Sequence, residues 1–459
     1  MSISARARTI EIFHASRLWY ASSFYDIPQD AESQLQKDFF KYVNFPHKAP
    51  TVSQVEMQKL REDGGLKLID IRTKTDTYKA RWLIELVTNP NVRTHLQLIT
   101  TLLGEQKGGL KGMDLFFTTP HYAKAILKTS IPYYKRAIEV FISLQVKKKI
   151  DDPRNEKLFY NPTFKDDKDE VLKISRTCEK LKIYTYGQVL SEHEKKQNNL
   201  PHQRYLASIC DKITSMDLEN RRDDHIYSVT LGEFVSLRVA THKFVYQQLI
   251  TSKYQEHHSK AKWEEYFHPK NLNWKKVWEA VNNPVTTEDT KSVIWEQIHL
   301  NDYTTFSYNK WHKKQEKCPF CLKVPQTEFH ITVKCDIVRK LWLEIESHLK
   351  SICNVRISET EMAFGLPGIK PNIKLRNWMT FLLRRCIANQ ENRAFYNKKG
   401  PQNIEEIRDC YNQLLKAEIW QKYHIYLKLG RDDYFEKIFA CKNYLIEKKN
   451  DQWQVLTIF

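Results

Sequence analysis

The chain has 459 residues, length for roughly two to four domains, and 41% of them are hydrophobic against 28% charged, which excludes a disordered tail. Lys and Arg number 73 against 55 Asp and Glu, a formal charge of +18 that points to phosphate-bearing partners, nucleic acid above all, with an acidic membrane surface as the rival. No run of 18 apolar residues is present to span a bilayer, so no membrane partner is expected.

Glycine is scarce, at 12 residues, and aromatics make up 12%, which favours helices packed through large side chains over turn-dense β architecture. Residues 3–25 are expected to be helical, with Ile3, Ala7, Ile10, Phe13, Leu18 and Trp19 near helical spacing and Pro28 closing the segment. Arg6, Arg8 and Arg17 give this segment a superficial likeness to a mitochondrial transit peptide, but Glu11 and the continuous apolar pattern argue against it. A second helix is expected over 31–43, stopped by Pro46. Gly64-Gly65 marks a turn before a strand-like or irregular run, Leu66 to Ile71.

Residues 76–103 read as one or two helices broken at Asn89-Pro90, and 104–120 as turn-like. Helix resumes over 122–144, followed by a charged linker over 147–157. Residues 168–195 are expected to be helical with an interruption near Gly187, and 198–270 mixed and polar. A helical run, VIWEQIHL (293–300), leads toward a Cys/His cluster, and an amphipathic helix over 336–352 follows it. The tail is expected to hold helices over 378–387, 404–426 and 434–448.

That cluster is Cys318, Cys321, His330 and Cys335, spaced Cys-x2-Cys-x8-His-x4-Cys. Thiolates and imidazole are the donors Zn²⁺ prefers in tetrahedral structural sites, and four protein ligands leave no corner for water, so the expected ion is structural Zn²⁺. Of nine cysteines, the other six (Cys178, Cys210, Cys353, Cys386, Cys410 and Cys441) are scattered, as expected of reduced thiols in a nuclear or cytoplasmic protein. From Lys370 to Lys399 there are eight Lys and Arg and one acid, Glu391, interleaved with aromatics. Lys374, Arg376, Trp378, Arg384, Arg385 and Arg393 are therefore the candidate nucleic-acid contacts, the alternative being a solvated helix face.

Several segments, in order, together resemble the C-terminal part of a non-LTR, LINE-type retrotransposon reverse transcriptase. LWYASSFYDIP (18–28) resembles its thumb segment, REDGGLKLIDI (61–71) its GGL-x-L stretch, and KARWLIELV (79–87) the Trp-containing helix behind it. LFYNPTF (158–164) and LKIYTYGQVL (181–190) resemble the connector, and Trp274, Trp278, Trp295 with the Cys/His cluster resemble the zinc-binding domain and its approach. The helix WMTFLLRRCIANQENRAF (378–395) resembles the basic helix usually found after it. The resemblance implies a thumb-like helical region over 1–146, a connector over 147–283, a zinc-binding module over 284–352 and a basic helical tail over 353–459. It implies a protein that grips template RNA and target DNA.

Polymerisation needs paired carboxylates to hold two Mg²⁺ ions, which the family carries in an (F/Y)-x-D-D strand turn. That motif does not occur: the adjacent pairs Asp151-Asp152, Asp166-Asp167, Asp223-Asp224 and Asp432-Asp433 lie in polar contexts expected to be solvated loops. The resemblance begins at the thumb, so the catalytic core is expected to be missing and no catalytic residue is assigned. GRDDYFEK (430–437) lacks the Pro-Asp arrangement of the family's nuclease, and no P-loop or nucleophile motif is present. The expected function is nucleic-acid binding by a mainly α protein. The alternatives are a fragment completed by a separately encoded or upstream polymerase core, and a zinc-stapled protein-interaction module.

Overall fold

The helical periodicity is realised through most of the chain. The computed structural model describes residues 1–22, 25–45, 52–89, 101, 104–105, 108–119, 132–146, 152–166, 168, 170–195, 200–214, 224–228, 232–268, 272–300, 317–354, 356–397, 403–440, 445–449 and 452–456, and these are mainly helical. No described helix is long and apolar enough to cross a membrane. The chain forms two units: a mid-chain unit (Phe13–Gln36, Asp70–Lys253) and a terminal unit (Met1–Ile12, Lys37–Ile69, Tyr254–Phe459). The expected segments 284–352 and 353–459 thus fall in one unit and share one core.

In the mid-chain unit, α1 (Ile71–Thr88) is nucleated at Asp70, whose carboxylate accepts from the Thr73 N–H at 2.6 Å and lies 3.3 Å from Lys253. Its Ala80, Leu83, Ile84 and Leu86 are buried with Ile138 and Phe141 of α2 (Pro132–Ser143) and Val245 of α3 (His242–Thr251). The helix ends at Thr88, where the Asn89-Pro90 break was expected. Its expected continuation through Leu96, Ile99 and Leu103, the first part of 122–144, and linker residues 147–151 lie outside the described residues. A hairpin pairs β1 (His225–Ser228) with β2 (Glu233–Ser236), setting Ile226 opposite Val235.

The helix expected over 168–195 is not formed as such. Two short helices, Arg176–Lys180 and Tyr186–Glu194, follow an irregular stretch bridged at Lys165 and Val171. Phe164, Leu172, Cys178 and Ile183 bury themselves with Leu158 and Phe159, a pattern of apolar spacing that one helix cannot satisfy. Lys182 turns the chain with a positive φ of 54°, and a Thr185–Gln188 capping box starts the second helix.

In the terminal unit, Leu66 to Ile69 is irregular and not a strand: the Leu66 and Leu68 N–H groups both donate to the Met57 carbonyl, at 3.0 and 2.9 Å. Gly64 turns at φ +90°, and a Cβ there would stand 2.5 Å from the Trp278 ring. The Trp295 indole N–H donates to the Gly64 carbonyl at 2.6 Å, so both tryptophans read the glycine turn. Helix α4 (Glu288–Ile298) precedes the Cys/His cluster, and four helices carry the main core: α5 (Asp336–Cys353), α6 (Pro371–Asn397), α7 (Ile404–Lys428) and α8 (Asp432–Phe439). From α5, Val338, Leu341, Trp342, Ile345 and Leu349 face Leu375, Trp378, Met379 and Leu382 of α6 and Tyr411 and Leu415 of α7 within that core.

The tail departs from expectation after α8. The helix stops at Phe439, and residues 446–449 form β3 (Ile446–Lys449), antiparallel to β4 (Gln452–Val455). Leu445 and Ile446 enter the core while Glu447 to Lys449 run outward, so the apolar pair is buried at the head of a strand. Asp432 and Asp433 occupy the exposed first turn of α8, where acids favour the helix dipole, and are not in a loop. Asp152 and Asp166 do cap loop N–H groups; Asp151, Asp167 and Asp223 lie outside the described residues.

Candidate metal centre

The four predicted ligands come together. The sulfurs of Cys318, Cys321 and Cys335 and a ring nitrogen of His330 all lie within 4.8 Å of one another and could hold a metal ion. Cys318 and Cys321 sit on one tight turn. The Cys318 N–H donates to the Val324 carbonyl at 2.9 Å, the Leu322 N–H donates to the Cys318 carbonyl at 2.9 Å, and Leu322 reverses the chain at φ +57°. His330 opens a π-helical turn (His330–Lys334), where Thr327 Oγ1 accepts from its N–H at 3.0 Å. The Cys335 N–H returns to the His330 carbonyl at 2.7 Å, and Cys335 then caps α5.

The separations discriminate between chemistries. Cys318 Sγ and Cys335 Sγ are 3.9 Å apart, far beyond the roughly 2.05 Å of a disulfide. Cys321 Sγ and His330 Nε2 are 3.3 Å apart. Tetrahedral coordination at ordinary metal–sulfur and metal–nitrogen lengths requires edges of about 3.8 Å and about 3.6 Å. Cys318 and Cys335 are buried while Cys321 and His330 are half-buried, so the cluster sits at the margin of the core and within reach of solvent ions. The Cys335 thiol is lowered to about 4, first by its hydrogen bond with Cys318, whose own thiol is pushed up in return. The His330 imidazole is raised, first by Cys335 and then by Cys321.

The cluster is bolted to the helices around it. The Trp342 indole donates to the Thr332 carbonyl at 3.0 Å. In the spacer between Cys321 and His330, Gln326 donates to Glu391 of α6, and Glu328 is met by Arg384 of α6 at 3.3 Å and by the Thr332 hydroxyl at 2.9 Å. Sequence reasoning missed these partners, although a polar spacer containing one acid, set before a helix with two adjacent arginines, was a signal.

Four of the six predicted nucleic-acid contacts on α6 require correction: Arg376, Trp378, Arg384 and Arg385. Arg376 is 0% exposed; its Nε and Nη2 meet Glu361 at 2.5 and 2.8 Å, and Nη1 donates to the Leu349 carbonyl at 2.9 Å. Arg384 is 1% exposed and donates to the Ala363 carbonyl as well as to Glu328. The buried Trp378 donates its indole N–H to Glu418 at 2.6 Å, and the half-buried Arg385 meets the same carboxylate at 2.9 Å. Guanidinium groups held this way inside the protein are not presented to phosphate. Of the six, Lys374 is half-buried and Arg393 is exposed. Every residue from Leu375 to Arg384 is buried, apolar and polar alike, so this stretch of the helix is interior and not a basic surface.

No protein-family model matches this chain, and no curated protein matches it. These comparisons identify no reverse transcriptase.

Proposed function

We propose that this protein is a nucleic-acid-binding protein of the reverse-transcriptase C-terminal type, stapled by a structural Zn²⁺ at Cys318, Cys321, His330 and Cys335. The observation that carries the reading is the closed Cys3His donor set in a chain of formal charge +18. Three thiolates and an imidazole are the donors Zn²⁺ takes in closed structural sites, and the ion would supply cohesion between the Cys318–Cys321 turn and the start of α5. The resemblance adds the expectation of template RNA or target DNA as the partner.

With α6 committed to the interior, the mid-chain unit offers the better surface for bases. Lys74 lies 5.5 Å from the Tyr78 ring, 5.7 Å from Tyr246 and 6.0 Å from Trp19. His242 stands 5.3 Å from Tyr78, and Tyr20, beside Trp19 in sequence, is 81% exposed. Tyr246 is buried beneath Lys74, while Trp19 and Tyr78 are half-buried; a lysine beside such rings is the kind of surface on which single-stranded bases stack while phosphates are neutralised.

Elemental analysis of the purified protein tests the metal, with one zinc per chain expected. Fluorescence anisotropy with a labelled structured RNA and a single-stranded DNA across rising salt tests the partner. Affinity should fall steeply with salt, as counterion release demands. Absence of stoichiometric metal removes the staple, and affinity that stays flat between low and moderate salt removes the nucleic-acid reading.

A further inference from the structure

Helices α6 and α7 form an antiparallel pair whose register can be read from two hydrogen bonds. The Trp378 indole donates to Glu418 at 2.6 Å, and the Gln390 side chain donates to the Glu406 carbonyl at 3.5 Å. Twelve residues forward along α6 correspond to twelve residues back along α7. In that register Cys386, four residues before Gln390, faces Cys410, four residues after Glu406. Each thiol is the first cause of the other's shifted ionisation, Cys386 raised and Cys410 lowered, as the register requires of facing groups. Cys386 is fully buried in the main core, and Cys410 packs against the same core while half-buried, so the pair lies at the margin of the core with Cys410 as its outer member.

We propose that Cys386 and Cys410 form a thiol pair that a hydroperoxide oxidises to an interhelical disulfide. Cys410 is the attacking group. Its thiol is lowered to about 6, first by the hydrogen bond from Cys386, then by the Arg393 guanidinium and the Asn389 side chain, against the opposing effect of burial. The Cys410 thiolate attacks one oxygen of the hydroperoxide, the O–O bond breaks, and the departing oxygen takes a proton and leaves as an alcohol, or as water from hydrogen peroxide. Cys410 is then a sulfenic acid. Cys386 loses its proton and attacks the Cys410 sulfur, the S–O bond breaks, and the departing hydroxide takes that proton and leaves as water. Two thiols supply the two electrons that reduce the hydroperoxide.

The pair is distinct from the three cluster thiols, and the proposal does not depend on the identity of any metal or partner. Its consequence is local: α6 also carries Arg384 and Glu391, which hold the spacer of the candidate metal centre. A crosslink between α6 and α7 would fix the helix on which that spacer rests.

The test uses the full chain as purified, reduced, desalted and exposed to increasing hydrogen peroxide. Remaining thiols are alkylated and the digest is mapped without reduction. The expected result is a Cys386–Cys410 crosslinked peptide at peroxide doses where the buried Cys178, whose thiol is raised, is still recovered alkylated. The C386S protein should instead accumulate a sulfenic acid at Cys410 that a cyclic-diketone probe labels. Recovery of both Cys386 and Cys410 as alkylated thiols at doses that have already consumed the other cysteines would overturn the proposal, as would crosslinking of Cys410 to any other cysteine.

Discussion

Arg384 of α6 and Glu328, two residues before the ligand His330, form a buried ion pair at 3.3 Å. The candidate metal centre is therefore held from behind by a helix more than fifty residues away in sequence. Arg384→Met should leave Glu328 buried without its partner and cost about 3–5 kcal/mol, whereas Arg384→Met with Glu328→Leu should recover most of that loss. Urea denaturation of both variants checks this. A single variant as stable as the double would mean that the pair is solvated.

Cys318→Ser or His330→Ala should each abolish stoichiometric metal binding. Structural zinc contributes on the order of 10 kcal/mol in small modules, but Cys318 and Cys335 belong to a core that also includes Trp342 and Trp378, which cushions the fold. The expected outcome is a folded protein whose residues 317–350 lose hydrogen-exchange protection while α7 keeps it. Retention of one metal per chain in either variant would place the ion elsewhere.

The ligands were legible because their chemistry is confined to a short span: Cys-x2-Cys, then His and Cys in the next element. The helix over 336–352 was equally legible, since Val338, Leu341, Ile345 and Leu349 repeat at helical spacing. Arg376 and Arg384 were misread because local charge density says nothing about partners. Their carboxylates, Glu361 and Glu328, come from other elements and pair only when the core closes. β3 was missed for a local reason. Tyr434 to Lys448 has helical composition, but Ile446–Lys449 pairs antiparallel with Gln452–Val455, only a few residues further on, as a hairpin that the apolar pattern did not reveal.

Arg376 and Arg393 should separate structure from binding on a single helix. Arg376→Ala removes the guanidinium that meets the buried Glu361 and should destabilise by about 3–5 kcal/mol. The exposed Arg393→Ala should change stability by less than about 0.5 kcal/mol. Chemical denaturation gives both numbers, and equal losses would contradict the burial of Arg376.

In the mid-chain unit, Tyr78→Ala should weaken single-stranded nucleic-acid binding by about 1–3 kcal/mol if a base stacks there. Lys74→Ala should lower the salt slope by about one counterion and weaken all sequences alike. Anisotropy titrations at two salt concentrations distinguish the effects. Unchanged affinity in both variants would move the binding surface away from Trp19, Tyr78 and His242.

His257 gives the terminal unit a pH dependence whose sign can be worked out. Burial, and then the neighbouring His299 ring at 4.9 Å, lower its imidazole from 6.5 to about 4, against the pull of Glu56; His258 and Lys59 also face it and push the same way as His299. Its Nδ1 accepts the Ser259 N–H at 3.3 Å at the start of the 258–266 helix, a bond that protonation would break. Between pH 4 and 6.5 the unfolded chain binds a proton that the folded chain refuses, so stability rises with pH through this window and is lost as pH falls from 6.5 to 4. For a half-buried ring the effect is about 1–2 kcal/mol after discounting for solvent screening. Glu296, raised to about 7 by burial against the pull of Arg6, contributes a slope of opposite sign, so the two must be separated by difference. His257→Asn keeps a helix-capping acceptor and removes the titration. Urea unfolding at pH 4.5 and 6.5 should show a smaller stability loss in this variant than in the parent protein. An identical loss in both would mean that His257 titrates as it does in the unfolded chain.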